Sequence, residues 1–201
     1  SNGFRENQFL NVSNTNRKEE LFTRIKLLYN PSENLKILAT IIGVSFDNGY
    51  DAWAPDNNDK FMTYSDDKGE DSQYTNAGSI RLNLKLNRNT NITSISSLSN
   101  TNLTHAYDSD WANDSYWSRE HGFDPDAEGW FYRFYDSNDR VRNNLSQELR
   151  LLFKKHTFGF YYKKLKEEDN AMGYLFGGLG DEAKSQYDFI AFAWAGFTYF
   201  S

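Results

Sequence analysis

Tyr135–Phe153, YDSNDRVRNNLSQELRLLF, alternates cleanly from Leu145 onward. Leu145, Leu149, Leu151 and Phe153 share one parity, with Gln147 among them, and Ser146, Glu148 and Arg150 share the other. A period of two sends successive side chains to opposite faces of a strand, so this strand has an apolar face and a charged one. Two environments satisfy it. A soluble sandwich covers the apolar face with a second sheet, whereas a membrane barrel turns it to lipid and keeps the charges toward a wet lumen. Parity alone does not choose between them.

Outward from this stretch, the same pattern recurs. Residues 1–16 are polar and turn-rich and read as the end of a loop. Over 18–29, Leu21, Thr23, Ile25, Leu27 and Tyr29 oppose Phe22, Arg24, Lys26 and Leu28. A tight turn at 30–34 carries Pro31, preset for a turn position. A more uniformly apolar strand covers 35–46, and a long excursion rich in Asp, Asn and aromatics follows over 47–74. Across 75–86, Ile80, Leu82, Leu84 and Leu86 face one way and Ser79, Arg81, Asn83 and Lys85 the other. A short turn at 87–90 leads to a Ser- and Thr-rich strand over 91–105, whose register the side chains do not fix. A second excursion spans 107–138. After the opening strand come a short turn at 154–156, a strand over 157–166, a Gly-rich excursion over 167–184 and a last strand over 187–200.

Short turn alternates with long loop three times. A meander with its tight turns at one end and long polar loops at the other is the layout of bacterial outer-membrane barrels, whereas a Greek-key sandwich distributes loop lengths to both ends. The expected fold is all-β: an antiparallel meander of about seven strands, part of a transmembrane β-barrel. An odd strand number with pattern running to both termini makes 1–201 a partial barrel region, since open strand edges are not tolerated in lipid.

Composition excludes other classes. Aromatics reach 17% in a chain only 38% hydrophobic, which suits a thin apolar surface with long polar boundaries. With no cysteine, disulfides and thiolate metal sites are out. A net charge of -6 gives no basic footprint for nucleic acid. No apolar run reaches the roughly 20 residues of a spanning helix, and residues 1–11 show no signal-peptide pattern, so any export signal is expected to be removed or to lie outside the chain.

Several stretches resemble one family, the TonB-dependent outer-membrane receptors of the iron-complex type. Asn14-Thr15-Asn16-Arg17-Lys18-Glu19-Glu20-Leu21 resembles the early barrel region, as does Phe46-Asp47-Asn48-Gly49-Tyr50-Asp51-Ala52 running into Pro55-Asp56-Asn57-Asn58. Asn76-Ala77-Gly78-Ser79-Ile80 is similar to the next strand's start, and Tyr107-Asp108-Ser109-Asp110-Trp111 to the loop after it. Ser146-Gln147-Glu148-Leu149-Arg150-Leu151 is the most family-like strand, and Gly196-Phe197-Thr198-Tyr199-Phe200 is similar to a later one. The resemblance implies an outer-membrane location and uptake of a ferric siderophore or similar bulky solute by a parent receptor. It also implies partners: the lipid bilayer, the remaining barrel strands, a plug domain, and TonB acting through that plug. No plug is recognisable in these residues. The alternative from another class is a soluble β-rich carbohydrate-binding module with aromatic loops.

The richest candidate site is the second excursion, with Tyr107, Trp111, Tyr116, Trp117, Phe123, Trp130, Phe131, Tyr132, Phe134 and Tyr135. Most of these rings read as loop packing or interfacial anchors, Tyr107 and Tyr135 at the strand ends above all. Trp111, Trp117, Trp130 and Tyr132 are the ligand-contact candidates, as stacking surfaces for a planar or sugar-like group; Trp117 and Trp130 stand furthest from both strand ends. Asp124-Pro125-Asp126-Ala127-Glu128-Gly129 begins like a calcium loop, but its twelfth position is Tyr135 where a bidentate Glu is required, so it reads as a solvated acidic loop. His105, His121 and His156 are scattered and read as ordinary polar positions. Gly177-Gly178-Leu179-Gly180 lacks the strand and helix of a phosphate loop. Arg24, Lys26, Arg81, Lys85 and Arg150 share the polar parity of their strands, as a hydrated lumen wall or as partners for a plug's acidic groups. No cofactor, metal or enzymatic activity is expected, because no nucleophile stands at a recognisable spacing from a base.

Overall fold

A computed structural model describes residues 1–129 and 131–174. In chain order its elements are strands β1 (Glu6–Asn7), β2 (Val12–Ser13), β3 (Glu20–Ser32), β4 (Leu35–Gly49), β5 (Met62–Thr63), β6 (Glu70–Asn87) and β7 (Thr90–Asp108). Helices α1 (Asp114–His121) and α2 (Pro125–Glu128) follow, then strands β8 (Tyr135–Phe153) and β9 (His156–Tyr174). The long strands form one antiparallel sheet in chain order, β3-β4-β6-β7-β8-β9. The fold is all-β and meandering, as the alternation of connections requires. The strand expected over 187–200 and the Gly-rich residues 177–180 lie outside the described residues.

Register makes the sheet two-faced. Ile25, Ile41, Gly78, Leu98 and Leu145 stand in one cross-strand row, Tyr29, Ile37, Leu82, Ser94, Leu149 and Phe160 in a second, and Leu35, Leu84, Ile92, Leu151 and Phe158 in a third. Directly paired residues point to the same face, so these rows build one apolar surface. Arg24, Lys26, Arg81, Lys85 and Arg150 all fall on the opposite face, where Arg150 is ion-paired with Glu148. The register of β7, open in the sequence, is set by its neighbours: Leu98 sits between Gly78 and Leu145. Its Ser94 and Ser96 lie within the apolar surface and are satisfied by Gln147. Ser96 Oγ donates to Gln147 Oε1 at 2.5 Å, and Gln147 Nε2 donates to Ser94 Oγ at 3.0 Å.

No second layer of the described residues covers the apolar face. Leu21, Ile25, Leu27, Ile41, Ile80, Leu98, Leu145 and Phe160 are all exposed, and the hydrophobic residues buried among the described ones are Ala106, Ala112, Tyr116 and Phe123, at the loop end.

The strands outrun the apolar rows and correct the expected loop boundaries. The first row past the band is Asn76, Asn100 and Asn143, with Asn100 Nδ2 donating to Asn143 Oδ1 at 2.7 Å. Beyond it the ladder continues through Arg140–Asp169 at 2.7 Å, the Arg142–Glu167 pair, Thr104–Asp139 at 2.6 Å and Tyr107–Asp136 at 3.2 Å. Residues 47–49, 70–74, 107–108, 135–138 and 167–174 are therefore strand, not excursion. Polar residues on both faces carry no apolar alternation, so the pattern that marks a strand stops where the apolar band stops. Between described strands the long connections that leave the sheet are 50–69 and 109–134.

Residues 1–19 also differ from the expected loop end. β1 pairs antiparallel with β2 and parallel with β5, building a small sheet at the loop end. Gly49 allows the segment to lie this close, because a Cβ there would stand 2.2 Å from the Thr15 carbonyl oxygen.

Candidate ligand-binding site

The two connections and the N-terminal segment are tied together by buried carboxyl groups. Asp51 is 7% exposed. Its Oδ2 accepts from Asn7 Nδ2 and Thr63 Oγ1, both at 2.8 Å, and its Oδ1 accepts from Ser65 Oγ at 3.0 Å. Asp108, at the end of β7 and 4% exposed, accepts from the backbone N–H groups of Asp66, Asp110 and Trp111 at 3.0–3.1 Å. Asp110 accepts from Trp117 Nε1 and from the backbone N–H groups of Ala112 and Phe134, each at 3.1 Å. Asx side chains that satisfy local backbone donors are what let a long polar connection hold one shape.

Burial works against charge here. Desolvation, then the neighbouring Asp110 and Asp66, push Asp108 up to about 8. Desolvation and then Asp67 and Asp110 push Asp66 up to about 6, against the Arg133 guanidinium. Asp110 is raised as well, chiefly by desolvation. Burial and the hydrogen bond it donates to Asp56 push Tyr64 up to about 12.

Between these anchors lies a cavity of about 270 Å³, walled by Tyr50, Trp53, His105, Tyr107 and Trp111 above Asp108. Tyr50 meets His105 edge-on at 4.6 Å and Tyr107 at 6.1 Å, and Trp53 stacks on Trp111 at 6.2 Å. Trp53 and Trp111 remain 60% and 43% exposed, so their faces are open to an approaching molecule. Trp111 adopts a left-handed backbone, φ 63°, unusual for so bulky a residue and held by its N–H on Asp108.

The four candidate rings separate. Trp111 lines the cavity. Trp117 and Tyr132 do not: they stack on each other at 4.9 Å, with Trp117 also against Tyr116 and His121, and Tyr132 against Phe123 and Phe134. They form the packed centre of the 109–134 connection. Trp130 lies outside the described residues. Tyr107 and Tyr135, at the strand ends, lie nine and ten residues along their strands from Leu98 and Leu145. His105, read as an ordinary polar position, is a cavity wall 3.3 Å from Asp71. His121, read the same way, belongs to the packed centre of the connection, against Trp117 at 5.2 Å. Tyr50, Trp53 and His105 carried no sequence signal, because they come from different connections and strands.

The calcium-like run is a helix start. Asp124 caps α2, its side chain accepting from the N–H groups of Asp126 and Ala127, and Gly129 ends the turn at φ 76°. Among the described residues no group of three or more His, Cys, Asp and Glu is arranged to hold a metal ion. No protein-family model matches the chain, and no curated protein or solved structure does.

Proposed function

We propose that these residues form part of the wall of an outer-membrane β-barrel receptor that takes up a bulky solute, with the cavity at its outer mouth. The observation that carries this reading is the uncovered apolar face. It runs nine residues along β8, from Leu145 to Phe153. At roughly 3.3 Å per residue this is about 30 Å of strand, and a barrel tilt near 40° lowers it to about 23 Å, close to the ~25 Å apolar band of such barrels. The charged face then lines the lumen, and polar strand ends stand clear of the membrane with the connections upon them. A carbohydrate-binding module would need a second layer over the apolar rows. The resemblance to TonB-dependent receptors adds the solute class, a ferric siderophore complex, and the partners: a plug domain and TonB.

Detergent dependence tests it. The protein is expected to need detergent or lipid to stay dispersed and to migrate differently before and after boiling. In intact cells, protease is expected to cut within 50–69 or 109–134 and to spare the turns at 33–34, 88–89 and 154–155. A monodisperse aqueous monomer would overturn the barrel reading.

A further inference from the structure

The cavity combines exposed aromatic rings with buried carboxyl groups to which the described lining brings no Lys or Arg. The donors to Asp51 are an amide and two hydroxyls, and those to Asp108 are backbone N–H groups. Among the described residues that line the cavity none is Lys or Arg. Neutral donors orient a carboxylate but do not cancel its charge, and burial penalises the charge that is left. The surroundings deepen the effect. Connections 50–69 and 109–134 together carry eleven Asp and Glu against four Lys and Arg. Such a mouth repels a polyanionic chelate and concentrates cations.

We propose that this cavity binds the ammonium head of an organic cation, seated against the rings of Trp53, Trp111 and Tyr50, with Asp108 lining the same cavity. The proposal rests on the uptake reading only for the side from which the solute arrives. Ring faces attract an ammonium through their quadrupole, best on Trp and best where water is excluded. The cation also supplies the charge that Asp108 lacks, so its entry is coupled to loss of the Asp108 proton. Around Asp108, the buried Asp66 and Asp110 are raised above the ordinary range and gain negative charge as pH rises, while Tyr50, Asp51, His105 and Tyr107 line the same cavity and Arg133 lies on Asp67 at 3.9 Å.

Choline and its uncharged isostere, with carbon in place of the quaternary nitrogen, separate charge from shape. Both are titrated by calorimetry into the full-length protein in detergent micelles. Choline is expected to bind about tenfold more tightly than the isostere, and about tenfold more weakly after Trp53→Ala or Trp111→Ala. Phe9→Ala, which alters an exposed ring away from the cavity, is expected to leave binding unchanged. Choline affinity is expected to rise between about pH 6 and 8, with proton release on binding. Equal binding of choline and the isostere, preferential binding of glucose, or no choline binding by a sample whose heat-dependent migration shows an assembled barrel would each overturn the proposal. Choline binding by a protein that needs no detergent would sustain the cavity's ligand and sink the uptake reading alone.

Discussion

Asp51 shows how one side chain fixes a long connection. It joins the N-terminal segment through Asn7, which is fully buried, to the far half of its own connection through Thr63 and Ser65. Asp51→Ala leaves three buried donors without an acceptor and is expected to cost about 2–4 kcal/mol locally. Asp51→Asn keeps an oxygen for Asn7 and Thr63, while Ser65 can turn its hydroxyl to accept, so it is expected to cost far less. Amide exchange over 50–69 measures both, and equal protection in the two variants would refute the hub. Asp108 and Asp66 give the same region a pH dependence. Their folded values are raised above the ordinary carboxylate range, so the folded cap holds protons that the unfolded chain releases near pH 4. That stability is complete below about pH 4 and is lost as pH rises through about 6 to 8. Asp110 acts on both, Asp67 and Arg133 act on Asp66, and among these charged groups Arg133 favours ionisation. Guanidinium unfolding followed by tryptophan fluorescence should show a firmer cap at pH 5 than at pH 9, and Asp108→Asn should flatten the difference.

At the scale of single strands, β6 carries the cleanest test of the proposed lipid-facing surface. Leu82 lies in a cross-strand row with Ile37 and Ser94, and Asn83 lies on the other face between Lys36 and Thr93. Leu82→Arg is expected to cost about 2–4 kcal/mol of insertion stability at mid-bilayer depth, and Asn83→Arg almost nothing. Urea-driven unfolding from lipid vesicles reads both, and similar losses at the two neighbours would refute the assignment. β8 divides in a way its alternation already announces: Leu145–Phe153 is amphipathic, while Tyr135 to Asn144 is polar on both faces and held by partners. Arg140 and Arg142 reach across to Asp169 and Glu167 on β9. The sequence stretch that decided the fold thus contains both regimes of the sheet.

Across the whole molecule, charge is sorted by height. The polar face of the sheet within the apolar band carries Arg24, Lys26, Lys36, Arg81, Lys85, Arg150 and Lys163 against Glu148, while the connections above are acidic. The net charge of -6 conceals this division. On the proposed uptake reading, a solute with an ammonium head is drawn to the acidic connections and then meets a basic wall below them. The meander builds the division, since among the described residues it puts the tight turns at one end and the long connections at the other.

Periodicity marked the long strands and the two faces of β3, β6 and the second half of β8, because a period of two fixes side-chain direction without reference to any partner, and the alternation of short and long connections gave their order and the end at which each connection lies. It left the register of β7 open, since Ser and Thr populate both of its faces, and it ended the strands too early, since a strand wet on both sides has no apolar rhythm. The cavity was decided by tertiary structure alone. Gly49, Glu70 and Ala106 meet in one cross-strand row, which carries Tyr50, His105 and Tyr107 to the same end of the sheet. Asp51 and Asp108 then fold the two connections over that end until Trp53 and Trp111 stack. Aromatic density pointed to 109–134, but density does not distinguish rings that pack on one another from rings left open. That difference depends on which neighbours the backbone brings within reach, and here those neighbours lie more than fifty residues away along the chain.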